Sequence, residues 1–229
     1  MLAALIVLAM PAHTLDVYAA ASLKEAFATI GTAFEKAHPD TKVRLTFSGS
    51  QTLSAQIANG APADVFASAS SKNLKDLGFD PGTKRVFATN RLVVVGGPSF
   101  RDLSKAKRIV LGAPAVPAGG YADFALAAAG RKWGAEWFAA VQANVVSREN
   151  DVRAVLAKVQ LGEADAGIVY ASDAKGQPVP PAFQPRIEYP LVVLREAREP
   201  GLAKAFVALV LGKAGRQALQ ARGFGVPNP

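Results

Sequence analysis

The chain has no cysteine, and its only two histidines are His13 and His38. The first absence excludes disulfides, thiolate catalysis, Cys-ligated zinc and a lipidated N-terminal cysteine. The second excludes a His-rich metal site. Acidic residues are the scarcer charge: 18 Asp and Glu stand against 26 Lys and Arg in 229 residues, a net charge of +8. An excess of that sign admits nucleic acid, an acidic membrane surface or a small anion as partner. A nucleic-acid surface interleaves basic runs with aromatics, and that pattern is missing. The densest basic stretch, Arg101 to Arg108, holds four bases and one Asp, with Phe100 its only aromatic neighbour. No nucleic-acid partner is therefore expected. There is also no internal repeat, no low-complexity segment and no G-x-S-x-G nucleophile motif.

What is present is a hydrophobic half, at 50% of residues, enough for a large core. Met1 to Met10 is continuously apolar and is followed by Pro11-Ala-His-Thr14. That length suits the h-region of a secretory signal and is too short to span a bilayer. The basic residues that usually precede an h-region are missing, and Pro11-Ala12-His13 is an imperfect cleavage site. Residues 1–13 are expected to be a leader that sends the mature chain to the periplasm or beyond the cytoplasm. The alternative is a buried N-terminal segment.

Three junctions of strand and helix organise the first half. The run Val17-Tyr-Ala-Ala-Ala-Ser22 reads as a strand, and Leu23, Ala26, Phe27, Ile30 and Phe34 then fall on one helical face. Ser22 and Glu25 fit S-x-x-E, which predicts a capping box at the helix start. Val43, Leu45 and Phe47 alternate with polar residues and end in Ser48-Gly-Ser50, from which a second helix runs through Leu53 and Ile57 to Asn59-Gly60. A later strand, Lys107 to Leu111, leads into the Gly- and Pro-rich loop Gly112 to Gly120 before a helix expected over 121–129. Helix N-termini present free N–H groups and a positive dipole end, the raw material of an anion site. Each junction also has a plain reading as a cap or an ordinary loop.

Further on, Trp133, Trp137, Phe138 and Val141 are spaced for core packing. Asn150 or Asp151 is set to cap a helix whose apolar face is Val152, Val155, Leu156 and Val159, and Ala166 to Tyr170 follows as a buried strand. Asp64 to Ala67, Leu92 to Val95, Asn144 to Val146 and Glu188 to Leu194 are further strands, Gln177 to Pro181 is a surface loop, and the tail carries two helices. Alternating strands and helices predict an α/β fold with parallel sheets. Eight or more strands would crowd one open sheet, so two lobes are expected.

Six segments in this order carry a resemblance: Tyr18-Ala-Ala-Ala-Ser-Leu23, Phe47-Ser-Gly-Ser-Gln-Thr-Leu53, Gly60-Ala-Pro-Ala-Asp-Val-Phe66, Val116-Pro-Ala-Gly119, Asp151-Val-Arg153 and Gly167-Ile-Val-Tyr-Ala-Ser-Asp173. Together they resemble the periplasmic molybdate-binding proteins of ABC uptake systems, the ModA family, across residues 14 to 226. The resemblance implies a type II periplasmic-binding fold, two parallel-sheet lobes joined by two crossover strands near Leu92–Val95 and Tyr189–Leu194. The implied division is 14–91 for the first part of lobe 1, 92–187 for lobe 2, and 188–229 for the return strand and the rest of lobe 1. It also implies an oxyanion-binding set: hydroxyls of Ser22 and Ser50, backbone N–H groups of Ala118 and Val152, and the phenol of Tyr170. Molybdate or tungstate would be held as the intact oxyanion, with no cofactor. The implied partners are a membrane permease and its ATPase, with the binding protein itself a monomer.

The residues agree with this in chemistry. All five are neutral donors, and a dianion held by N–H groups at helix starts needs no lysine or arginine. Donors alone suit fully deprotonated molybdate, tungstate or sulfate. They disfavour hydrogen phosphate, whose proton would find no acceptor, at a cost of about 1–3 kcal/mol. Another oxyanion such as sulfate is the runner-up ligand. A Ser-dependent hydrolase using Ser22 or Ser50 with His38 is the weaker alternative, since His38 sits in a helix-ending loop and no nucleophile–base pair is evident.

Overall fold

The computed structural model describes residues 12–227. Met1 to Pro11, and with them most of the apolar stretch expected to be a leader, lie outside the described residues. Strand β1 (His13–Ala20) buries Leu15, Val17 and Ala19 completely, and a 3-10 turn at Ala21–Leu23 joins it to helix α1 (Lys24–Ala37). Its first residue, His13, falls within the range expected to be leader and pairs with Thr41. Helix α1 turns Ala26, Phe27, Ile30 and Phe34 inward. Strand β2 (Thr41–Ser48), helix α2 (Ser50–Ala58) and strand β3 (Val65–Ala67) follow. Strand β4 (Arg85–Asn90) runs almost directly into β5 (Leu92–Val95).

The second half contains β6 (Ile109–Gly112), α3 (Pro117–Trp133), α4 (Ala135–Ala143), β7 (Val145–Glu149), α5 (Val152–Gln160), β8 (Ala166–Tyr170) and the two-residue β9 (Gln177–Pro178). Strand β10 (Ile187–Val193) and helices α6 (Pro200–Leu211) and α7 (Lys213–Gln220) close the chain.

Two five-stranded sheets result, in the orders β2-β1-β3-β10-β4 and β7-β6-β8-β5-β9. Each is parallel except for one reversed strand, β10 in the first and β5 in the second. The expectation of parallel sheets thus needs one amendment in each lobe. The reason is the connection: the chain crosses from β4 of the first sheet into β5 of the second and returns to the first at β10, so β5 and β10 are the strands that enter after a crossing. Strands β5 and β8 are buried along their whole length, as befits strands covered on both faces.

Four other features refine or correct the sequence reading. Strand β4 lacks a clean apolar alternation (Arg-Val-Phe-Ala-Thr-Asn) and was not expected. Helix α3 begins at Pro117, four residues before the expected Tyr121, because proline suits the first position of a helix, where its missing N–H costs nothing. The Trp133 to Val141 residues pack on the core as expected, and the structure adds that they are shared by two helices broken at Gly134, whose φ of 107° only glycine adopts easily. Trp133 and Trp137 still pack edge to face, centroids 4.9 Å apart. The loop Gln177 to Pro181 supplies the edge strand β9. Helices α6 and α7 pack with α1 on the first sheet, where Phe206 meets Phe34 and Phe27.

Candidate functional site

Ser22, Ser50, Ala118, Val152 and Tyr170 all line one cavity between the two sheets, with Ser48, Ala69 and Asp151 beside them. It encloses about 220 Å³ of space free of protein atoms, part of it at the mouth. No lysine or arginine lines it. Contacts between the lobes shut it: Gln51 Nε2 donates to Asn150 O at 2.8 Å, Tyr121 Oη to Ala69 O at 3.4 Å, and Arg153 pairs with Glu25.

The expected capping box does not form. Ser22 lies inside the 3-10 turn, the residue preceding α1 is Leu23, and no side chain caps that helix. Two longer-range partners explain why. Glu25 is drawn to the guanidinium of Arg153, 128 residues away, and Ser22 Oγ bonds Tyr189 Oη at 3.1 Å. Ser22, only 3% exposed, therefore lines the cavity with a hydroxyl free of any capping duty.

Ser50 is the first residue of α2, and its Oγ accepts from the Ala69 N–H at 3.0 Å. One lone pair is thereby used while its own hydrogen stays free to donate. Tyr170 ends β8 with its Oη buried and without a hydrogen-bond partner among the described residues. Burial pushes this phenol well above its ordinary range, so it keeps its proton and is a donor in need of an acceptor.

The backbone donors come from lobe 2. Ala118 is the second residue of α3, where N–H groups have no intrahelical acceptor. A Cβ on Gly119 would sit 2.1 Å from Ala113 O and 2.4 Å from Gly112 O, so only glycine lets this first turn press against the end of β6. Asp151 caps α5 as expected, its carboxylate accepting from Arg153 N at 2.8 Å and Ala154 N at 3.0 Å. Those two bonds spare the first N–H of the helix, that of Val152, which has no protein partner among the described residues.

Behind the cavity lies a charge cluster that sequence reading did not pick out. Arg153 Nε approaches Asp173 Oδ1 at 2.9 Å, although off line for a hydrogen bond. The Asp173 side chain has no exposure, and burial raises its carboxyl to about 7 against the opposing pull of Arg153. Tyr189 and Asn90, also unforeseen, stand behind Ser22. Their signal in the sequence was weak: one tyrosine in an apolar strand and one asparagine at a strand end.

The hydrolase alternative finds no geometry. His38 ends α1, which at 1.5 Å per residue puts about 20 Å between it and Ser22. Its ring instead stacks on Phe34, and its Nδ1 lies 3.1 Å from Phe34 O. His13 lies at the far end of β1 and bonds Glu199. Among the described residues no group of three His, Cys, Asp or Glu is set to hold a metal ion. None of their helices is long and apolar enough to cross a membrane.

Two sheets between which the chain crosses twice, with a cavity of hydrogen-bond donors between them, define a type II solute-binding protein. A family model described as bacterial extracellular solute-binding protein matches residues 15–225. The chain is 37% identical to the molybdate-binding protein ModA of Mycobacterium tuberculosis over 234 aligned positions, covering 94% of this chain and 86% of that one. It is 34% identical to ModA of Escherichia coli, covering 92% and 88%. The solved periplasmic molybdate-binding protein of Azotobacter vinelandii superposes with a TM-score of 0.80 at 24% identity, over 93% of this chain and all of that one. The chain belongs to the bacterial extracellular solute-binding proteins and, within them, to the ModA family.

Proposed function

We propose that this protein captures molybdate, and tungstate with it, outside the cytoplasm and delivers it to an ABC permease driven by its ATPase. Lobe 1, residues 14–91 with 188–229, would contribute the Ser22 and Ser50 hydroxyls. Lobe 2, residues 92–187, would contribute the Ala118 and Val152 N–H groups and the Tyr170 phenol. The protein acts as a monomeric carrier and not as an enzyme.

The observation that carries this reading is the orphaned phenol of Tyr170. A buried hydroxyl without a partner costs about 1–3 kcal/mol, and here it lines the same cavity as two serine hydroxyls and two uncapped helix N–H groups. A tetrahedral oxyanion would satisfy all five at once. Of the carboxylates, only Asp151 borders the cavity, and one of its oxygens is taken by two backbone N–H groups. None of the five donors offers a ligand proton an acceptor, and the negative Asp151 is committed to the α5 N-terminus, which favours the fully deprotonated ions. The positive net charge steers anions toward the protein at low salt.

Calorimetric titration with molybdate, tungstate and sulfate tests the assignment. One molybdate per chain, bound more tightly than sulfate and raising the melting temperature by mass action, is expected. Sulfate binding more tightly than molybdate would replace molybdate by the runner-up ligand.

A further inference from the structure

We infer that Asn90 and Tyr189 are positioning residues that force the Ser22 hydroxyl to act as a donor toward the cavity. This rests on the cavity being the oxyanion site. Asn90 ends β4 and Tyr189 sits in β10, so both stand on the strands by which the chain crosses between the sheets. Both are buried, Tyr189 completely.

The direction of each hydrogen in the chain follows in order. The Arg91 N–H donates to Asn90 Oδ1 at 2.9 Å, which fixes the orientation of the amide. The Asn90 NH₂ group then donates to Ser172 Oγ at 2.8 Å and to Tyr189 Oη at 3.3 Å. An amide nitrogen cannot accept. Among the hydrogen bonds of the described residues, the acceptor this leaves for the Tyr189 hydrogen is Ser22 Oγ at 3.1 Å. Having accepted from Tyr189, Ser22 Oγ has no other protein partner among the described residues for its own hydrogen, which points to the cavity that it lines. Leaving Tyr189 without this acceptor would strand a buried phenol hydrogen, so the arrangement is the stable one.

The two lobe-1 hydroxyls are therefore polarised by different means to the same end. Ala69 N–H occupies the lone pair of Ser50, and the Tyr189 phenol occupies that of Ser22. The Asn90 contact to Ser172, which follows β8, ties this chain to lobe 2 as well. The direction of the Ser22 hydrogen is set at the junction of the lobes.

The test uses molybdate and hydrogen phosphate as probes of the wild type, Tyr189→Phe, Ser22→Ala, the double variant and Asn90→Asp. Tyr189→Phe leaves a ring among Phe87, Tyr170 and Phe224 and is expected to fold. It should weaken molybdate about tenfold, and Ser22→Ala should then cost little more than it already lost, since the two act as a unit. Asn90→Asp supplies an acceptor that draws the phenol hydrogen away from Ser22, allowing Ser22 to turn a lone pair inward. The preference for molybdate over hydrogen phosphate should narrow about tenfold. Independent losses at Ser22 and Tyr189, or an unchanged preference in Asn90→Asp at native melting temperature, would overturn the inference. Failure of the wild type to bind molybdate would instead overturn the functional reading beneath it.

Discussion

The two lobes bring different kinds of donor to the cavity. Lobe 1 contributes side-chain hydroxyls whose acceptor sides are already filled, Ser50 by the Ala69 N–H and Ser22 by the Tyr189 phenol. Lobe 2 contributes backbone N–H groups at the starts of α3 and α5 and an unpartnered phenol. In lobe 1 the site residues also hold the fold together before any ligand arrives. In lobe 2 the donors are left over by the fold, without a protein partner among the described residues. Substitutions in lobe 1 should therefore cost stability and affinity together, whereas those in lobe 2 should separate the two.

Ser50→Ala gives the largest expected effect. On the proposed reading it removes a hydrogen bond to the oxyanion, about 1.5–3 kcal/mol of affinity, and it strands the buried Ala69 N–H, about 1–3 kcal/mol of stability. Titration and denaturant unfolding of the same variant should both show a loss. Tyr170→Phe is the counterpart in lobe 2. It should lose a similar amount of affinity while raising the stability of the ligand-free protein by about 1 kcal/mol, because the orphaned hydroxyl is gone. A drop in ligand-free stability would erase the distinction between the lobes.

Asp151→Ala should cost about 1 kcal/mol through loss of the α5 cap and further affinity through a misdirected Val152 N–H. Asp151→Asn keeps an acceptor for the cap while removing a negative charge beside the cavity, so it should retain stability and bind molybdate more tightly.

The pH dependence is the subtlest effect, and among the described residues its one upward-shifted carboxyl lies in lobe 2, whereas Glu35 and Asp80 of lobe 1 are shifted down. The Asp173 carboxyl is raised to about 7 by burial, against ~3.9 in an unfolded chain. Between those values the folded protein holds a proton that the unfolded chain has released, so this group makes stability fall as pH rises from about 4 to 7. Asp102 and Asp165, held low by hydrogen bonds from Lys105 and Arg108, act in the opposite sense under more acidic conditions. Asp173→Asn should flatten the slope between pH 4 and 7 in unfolding experiments; an unchanged slope would place its cause elsewhere.

The same contrast decides what could be read from the sequence. Donors fixed by local structure were legible. Asp151 caps α5 because its partners are two and three residues away, and Ser50 starts α2 where a strand ends in Ser-Gly-Ser. What depended on distant partners was not. The Ser22–Glu25 spacing is that of a capping box, yet Glu25 serves Arg153 and Ser22 serves Tyr189, contacts 128 and 167 residues apart. Strand β4, with no apolar alternation of its own, owes its place to pairing with β10. The early start of α3 was hidden because Pro117 and Gly119 were read as loop residues, although proline at a first helical position was the available signal.

On the proposed reading the cavity meets a dianion with five donors, while the one carboxylate at its edge, Asp151, is held at the α5 N-terminus. Sulfate and hydrogen phosphate at pH 8 test it most directly, because the two are alike in size and charge and differ by one proton. Competition of each against bound molybdate should show sulfate binding at least about tenfold more tightly, as expected for one unsatisfied hydrogen-bond donor. Hydrogen phosphate competing as well as sulfate, or better, would mean that an acceptor faces the ligand and would contradict the account.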